Sequence, residues 1–179
     1  MAPSLQQYLQ PIQVTTYRFS DDGSIPNNPT LPFLVYPGVL HFGTADPAVV
    51  AEQVFAANGW VDSWRNGIFP YPHYHSTAHE ALILCRGQAR VRFGGAQGVV
   101  LTVQAGDAVV IPAGVGHENL GSSADLLVVG AYPPGQAVDL HKGHTHERPT
   151  VLANIAQVPL PTTDPLYGAA GPLLELWQQ

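Results

Sequence analysis

Between residues 60 and 132 the apolar positions come in short runs separated by glycine-bearing turns. Residues 81–85 are an unbroken apolar stretch closed by Arg86-Gly87, and residues 88–93 alternate polar and apolar before Gly94-Gly95. Residues 99–103, 108–111 and 126–132 repeat the pattern of a short apolar run ended by a turn. Close, turn-marked spacing of this kind predicts an all-β sandwich or barrel. Upstream, residues 12–19 and 31–42 read as extended, the second interrupted by Pro32, Pro37 and Gly38. The best helix lies over residues 47–57. Asp46 can cap it, Pro47 suits its first position, and Asn58-Gly59 supplies the stop.

The segment from residue 64 to 74 should lead into a strand carrying His73 and His75, and His117 should open another. Past Pro133 the pattern loosens. A Gly- and His-containing loop over 135–147 precedes one or two helical turns at 149–156. The tail keeps Leu166, Tyr167, Leu173, Leu174, Leu176 and Trp177, so it should pack on the barrel or on a second subunit. No internal repeat is visible. The expected organisation is one domain over 1–179, with a core at about 60–132, an N-terminal arm over 1–59 and a C-terminal arm over 133–179.

Composition supports this outline. Hydrophobic residues make up 45% of the 179 and charged residues only 11%, the reverse of a disordered chain. Eighteen Gly and seventeen Pro supply the turns. The net charge of −6 and the lack of any Lys or Arg run argue against a nucleic-acid partner. No apolar run approaches a membrane span, and the start MAPSLQQYLQ has neither the basic nor the apolar region of a secretory signal. The lone Cys85 excludes an internal disulfide and fits a reducing compartment, so the cytoplasm is the expected location. Cys85 sits in an apolar strand, where a thiol is inert.

Eight His are the compositional oddity, and six of them fall in two clusters. In the first, GIFPYPHYHSTAHEALILCRG, alternation along a strand puts His73 and His75 on one face. Glu80 can return from the next strand after the turn at 76–79. Two imidazoles and a carboxylate suit a borderline-hard divalent ion such as Mn, Fe, Co, Ni or Zn. In GDAVVIPAGVGHEN, His117 offers a third imidazole from an independent segment. His79 competes with Glu80, and because adjacent residues of a strand face opposite ways only one of the two can join the imidazoles.

These two segments resemble the cupin superfamily. Its first motif is G, five residues, H-x-H, four residues, E, six residues, G, and Gly67, His73, His75, Glu80 and Gly87 match every spacing. Its second is G, five residues, P-x-G, two residues, H, three residues, N. Gly106, Pro112, Gly114 and His117 match it, while position 121 is Gly121 with Asn119 nearby. That departure touches a turn contact and no ligand. The resemblance implies a jelly-roll (double-stranded β-helix) barrel with one or two short helices, and one divalent metal ion on His73, His75, Glu80 and His117. The wording YHSTAHE, PAGVGHENLGSS and GAYPPGQ is similar to a group of small single-domain bacterial cupins without an assigned reaction.

Other polar residues have plainer readings. The loop cluster His141, His144 and His146 is expected to be solvated, with a lid over the barrel mouth as the alternative. Arg90 and Arg92 share a strand face opposite the natural lining Ala89, Val91 and Phe93. Phe69, Tyr71 and Tyr74 flank the ligands and should wall the pocket or pack.

Three functions follow for an open metal site. The first is an enzyme that oxidises, dioxygenates or decarboxylates a hydroxy- or keto-acid-like metabolite. The second is an isomerase or lyase on a sugar or keto acid, in which His79 or Tyr74 moves a proton. The third is a non-catalytic metabolite-binding barrel. Fold analogy does not choose among them. A homodimer is expected, with a small molecule as the other partner.

Overall fold

The computed structural model describes residues 4–178. In chain order it contains β1 (Thr15–Tyr17), β2 (Phe33–Tyr36), α1 (Pro47–Ala57), β3 (Val61–Asn66), β4 (Glu80–Arg86) and β5 (Gln88–Phe93). These are followed by β6 (Val99–Gln104), β7 (Ala108–Ile111), β8 (His117–Ser122), β9 (Leu127–Tyr132), α2 (Thr150–Gln157) and α3 (Leu173–Leu176). Single 3-10 turns lie at Leu5–Tyr8 and Thr145–Glu147. The strands form two antiparallel sheets. One has six strands in the order β1-β2-β7-β4-β9-β3, the other three in the order β6-β5-β8. This is the all-β architecture that the turn spacing predicts, in the jelly-roll form that the resemblance implies.

The two faces of the larger sheet explain the sequence of its central strand. From β4, Leu82 and Leu84 enter the space between the sheets, where they meet Phe33, Val91, Phe93, Val109, Ile111 and Val128. Ala81, Ile83 and Cys85 face the other way, onto a layer that includes Val54, Phe55, Trp60, Leu166, Leu173 and Trp177. A strand covered on both faces has no polar side, hence the unbroken apolar run. β5 alternates because only one of its faces is covered: Ala89, Val91 and Phe93 are buried, while Gln88 and Arg90 are exposed.

α1 begins as its residues require. The Asp46 carboxylate accepts the N–H of Ala48 at 2.9 Å and of Val49 at 3.3 Å, and Pro47 occupies the first turn. The C-terminal tail is fixed to the barrel. Buried Asp164 accepts the Tyr36 hydroxyl at 2.7 Å and the amides of Leu166 and Leu173 at 2.8 and 3.2 Å. The Trp177 indole donates to the Pro32 carbonyl at 3.0 Å. Among the described residues, no helix is long and apolar enough to cross a membrane.

Candidate metal centre

The segment carrying His73 and His75 differs from expectation: it is not a continuous strand. His73 pairs with His117 through amide–carbonyl bonds of 3.2 and 2.9 Å, and Tyr74 pairs with His141 through bonds of 3.0 and 2.9 Å. The prolines at 70 and 72 remove the donors a longer ladder would need. Alternation nevertheless survives, so His73 and His75 share a side and Tyr74 takes the other. The Gly114 amide donates to the His75 carbonyl at 2.7 Å, closing the second motif onto the first. Gly114 has φ +91°, and a Cβ there would lie 2.4 Å from the Asn27 carbonyl oxygen, so glycine is required.

Three buried imidazoles converge. One ring nitrogen from each of His73, His75 and His117 lies within 4.8 Å of the others. Each ring is oriented by a backbone carbonyl: Nδ1 of His73 on Tyr71 at 3.0 Å, of His75 on Asp139 at 2.5 Å, and of His117 on Val115 at 3.3 Å. A carbonyl oxygen only accepts, so each Nδ1 carries a hydrogen, and each ring in its neutral form offers the lone pair of Nε2 inward. Glu80, at the start of β4, puts Oε2 at 3.3 Å from Nε2 of both His75 and His117. That oxygen is buried and has no hydrogen-bond partner. Lone pairs on two nitrogens and a carboxylate facing one another at this distance call for a positive charge among them. A divalent cation fits this donor set.

The electrostatics keep His73 neutral and Glu80 ionised. Burial, then the proximity of His117, brings His73 down to about 3, keeping it neutral. Burial alone would lower His75, but the Glu80 charge beside it and the Asp139 carbonyl raise it above its ordinary value. Burial would likewise raise Glu80, yet His75 and His117 hold it well below the usual carboxylate range. Ionised carboxylate and neutral imidazole are the forms that bind metal, so an ion would take the place of the proton that Glu80 favours on His75.

The centre opens on a cavity of about 220 Å³. Its polar end is formed by His73, His75, Glu80 and His117, and its walls include Trp64, Ile68, Phe69, Leu82 and Tyr132. Trp64 lies flat on Gly130, where a Cβ would come within 2.2 Å of the indole, and its Nε1 donates to the Tyr132 hydroxyl at 2.9 Å. Burial, then the charge of Glu80, raises the Tyr132 hydroxyl above its ordinary range, so it stays protonated. Neither Trp64 nor Tyr132 stands out in the sequence. They meet only because β3 pairs with β9, which places Trp64 opposite Gly130.

Both residues expected to move protons lie elsewhere. The Tyr74 hydroxyl donates to Glu147 at 2.6 Å on the far side of the segment. His79 is fully buried beneath the tail, with its ring 4.8 Å from that of Trp177 and its Nδ1 accepting the Ala113 amide at 2.9 Å. Strand alternation sends both away from the cavity. Cys85 is buried, and its thiol is pushed up to about 12 by burial. Arg90 is exposed, and Arg92 pairs with Glu118 at 3.0 Å.

The 135–147 loop is exposed at His144 and His146, as expected of a solvated loop, but it is tied down at Asp139, His141 and Glu147 and is not a lid. It straps the His73–His75 segment from behind. The Asp139 carboxylate accepts the Ser76 amide at 2.6 Å and the Ser76 hydroxyl, and meets His141 Nε2 at 2.8 Å. Glu147 closes the far end on the amides of Lys142 and Gly143 at 3.0 and 3.1 Å. His144 and His146 stack on each other, exposed and away from the cavity lining.

A cupin-domain family model matches residues 64–130. The uncharacterised protein YjlB of Bacillus subtilis (strain 168) is 46% identical over 165 residues, covering 92% of this chain and 97% of that protein. Among solved structures, an acireductone dioxygenase from Bacillus anthracis, with cadmium in its active centre, is 13% identical over 70% of this chain and 82% of its own, with a TM-score of 0.38. An 11S globulin from Wrightia tinctoria is 17% identical with a TM-score of 0.36, over 54% of this chain and 27% of its own. At these identities and scores the two structures say nothing of this chain's chemistry.

Proposed function

This chain belongs to the cupin family, and we propose that it is a metal-dependent enzyme which oxidises or decarboxylates a small hydroxy- or keto-acid-like metabolite. His73, His75, Glu80 and His117 would hold one divalent ion of the Mn, Fe, Co, Ni or Zn type. The observation that carries the reading is the set of three Nδ1–carbonyl bonds, which aim three Nε2 lone pairs at the side where Glu80 Oε2 has no partner. A bound ion would supply Lewis acidity toward the oxygen atoms of a chelating substrate. The chain's own residues would do the rest. The Nδ1 bonds keep the imidazoles in the ligating tautomer, Trp64 and Phe69 exclude water, and Tyr132 presents a hydroxyl at the same cavity. A purely structural ion would have little need of an open cavity beside it.

The proposal includes a single domain and assembly as a homodimer, for which a dimeric mass in solution is the expected result. Elemental analysis of gently purified protein tests the centre. About one transition-metal ion per chain is expected in the wild type and almost none in His117→Ala, with both folded by circular dichroism. Equal metal content in the two proteins would remove the assignment.

A further inference from the structure

The cavity beside the triad is small and sparsely polar. Its volume, about 220 Å³, lies below the range of roughly 300–1,000 Å³ common for sites that take drug-sized ligands. Trp64, Ile68, Phe69 and Leu82 give it apolar walls, and no Lys or Arg is among the described lining residues. Apart from the triad and Glu80, its polar side chains are Asn66 and Tyr132. The Asn66 side-chain oxygen is already engaged by the Gly67 amide at 2.8 Å.

Tyr132 is the informative one. Its oxygen accepts the Trp64 indole N–H at 2.9 Å. An indole nitrogen only donates, so the phenol proton is not used in that bond; it is within reach of the Glu80 carboxylate and of any acceptor that enters the cavity beside it.

From these features we infer that the site selects a small monoanion with an apolar body, whose oxygen-bearing end takes the Tyr132 hydroxyl bond beside the metal. The inference rests on the metal reading above. A divalent ion with three neutral imidazoles and one Glu80 carboxylate carries a net single positive charge. One negative charge on a ligand neutralises it. A second, as on a dicarboxylate or a phosphate ester, would sit in an apolar cavity with no cation to meet it, which is strongly unfavourable. A sugar fails differently, because its hydroxyls outnumber the free donors and acceptors that the walls provide.

Protein loaded with cobalt(II) tests this, read by the visible d–d bands of the ion and by tryptophan fluorescence. The probes are α-ketoisocaproate, malonate and a hexose phosphate. α-Ketoisocaproate is expected to perturb both signals and to bind at least about tenfold more tightly than either dianion, as one lost charge-assisted contact implies. Tyr132→Phe should weaken its binding about tenfold while cobalt stoichiometry stays unchanged. Equal or tighter binding of malonate or the hexose phosphate would overturn the inference alone, as would unaltered α-ketoisocaproate binding by Tyr132→Phe or no response to any probe. Failure of the wild type to take up cobalt would overturn the metal reading, and this inference with it.

Discussion

The backbone carbonyl of Asp139 accepts the Nδ1 hydrogen of His75 at 2.5 Å, tying a loop sixty-four positions away in sequence to an imidazole of the metal triad. The Asp139 carboxylate holds that loop in place through the amide and hydroxyl of Ser76, the Thr77 amide and His141. Asp139 is therefore a positioning residue for the centre.

Asp139→Ala leaves the carbonyl but removes its anchors. Metal affinity should fall by about 10–100-fold, the usual effect of losing a partner that orients a ligating histidine. Stability should fall by about 1–3 kcal/mol as Ser76 loses its acceptors. Chelator competition and urea unfolding measure the two effects. Unchanged metal affinity with a loosened loop would show that the loop does not orient His75.

Glu80 acts on the ion directly. Its Oε2 is buried without a hydrogen-bond partner and faces Nε2 of both His75 and His117 at 3.3 Å, so its charge is placed where an ion would sit. In Glu80→Gln the metal-free protein should lose the stabilisation that His75 and His117 give the Glu80 charge. The rise in Tm on adding metal should shrink sharply, because stabilisation by a ligand follows its affinity. Thermal melts with and without chelator decide the matter, and an undiminished metal-induced rise in Tm in Glu80→Gln would contradict this account.

Trp177 is 2% exposed, closes the outer core layer and covers His79. Truncation to Ala should cost about 3–5 kcal/mol by denaturant unfolding, as for other buried large-to-small changes. Metal content per folded chain should stay the same, since the tail and the centre lie on opposite sides of β4. Loss of metal at constant fold would place His79 in the chemistry after all.

How far the sequence carried these conclusions depends on the range of the interactions involved. The Asp46-capped helix, the turn at Arg86-Gly87 and the alternation of β5 are set by neighbours within a few residues, and each reads directly. The spacing of His73, His75, Glu80 and His117 reads equally well. The cavity walls do not. Trp64 and Tyr132 meet through the β3–β9 register, which no local pattern specifies. The 135–147 strap was equally hidden. Its anchors on Ser76, Thr77 and Tyr74 span some sixty to seventy positions, so its polar composition reads as a solvated loop. The strand expected through His73 and His75 is replaced by two isolated bridges, one of them supplied by that strap.

Acid should loosen the strap before it unfolds the barrel. Burial alone would raise the Glu147 carboxyl, but the Tyr74 hydroxyl and the amides of Lys142 and Gly143 bring it down to about 2. A carboxylate whose pKa is lower folded than unfolded stabilises the fold fully above its unfolded value, about 4.3. That contribution is lost as pH falls from there toward about 2. Glu147→Gln lacks the titration, so the stability gap between wild type and variant should be widest near neutrality and should close over this window. Hydrogen exchange at the Lys142 and Gly143 amides gives the local reading, with protection in the wild type dropping toward that of the variant as pH falls. A gap that stays constant down to about pH 2.5 would mean that the Glu147 charge contributes nothing to holding the strap.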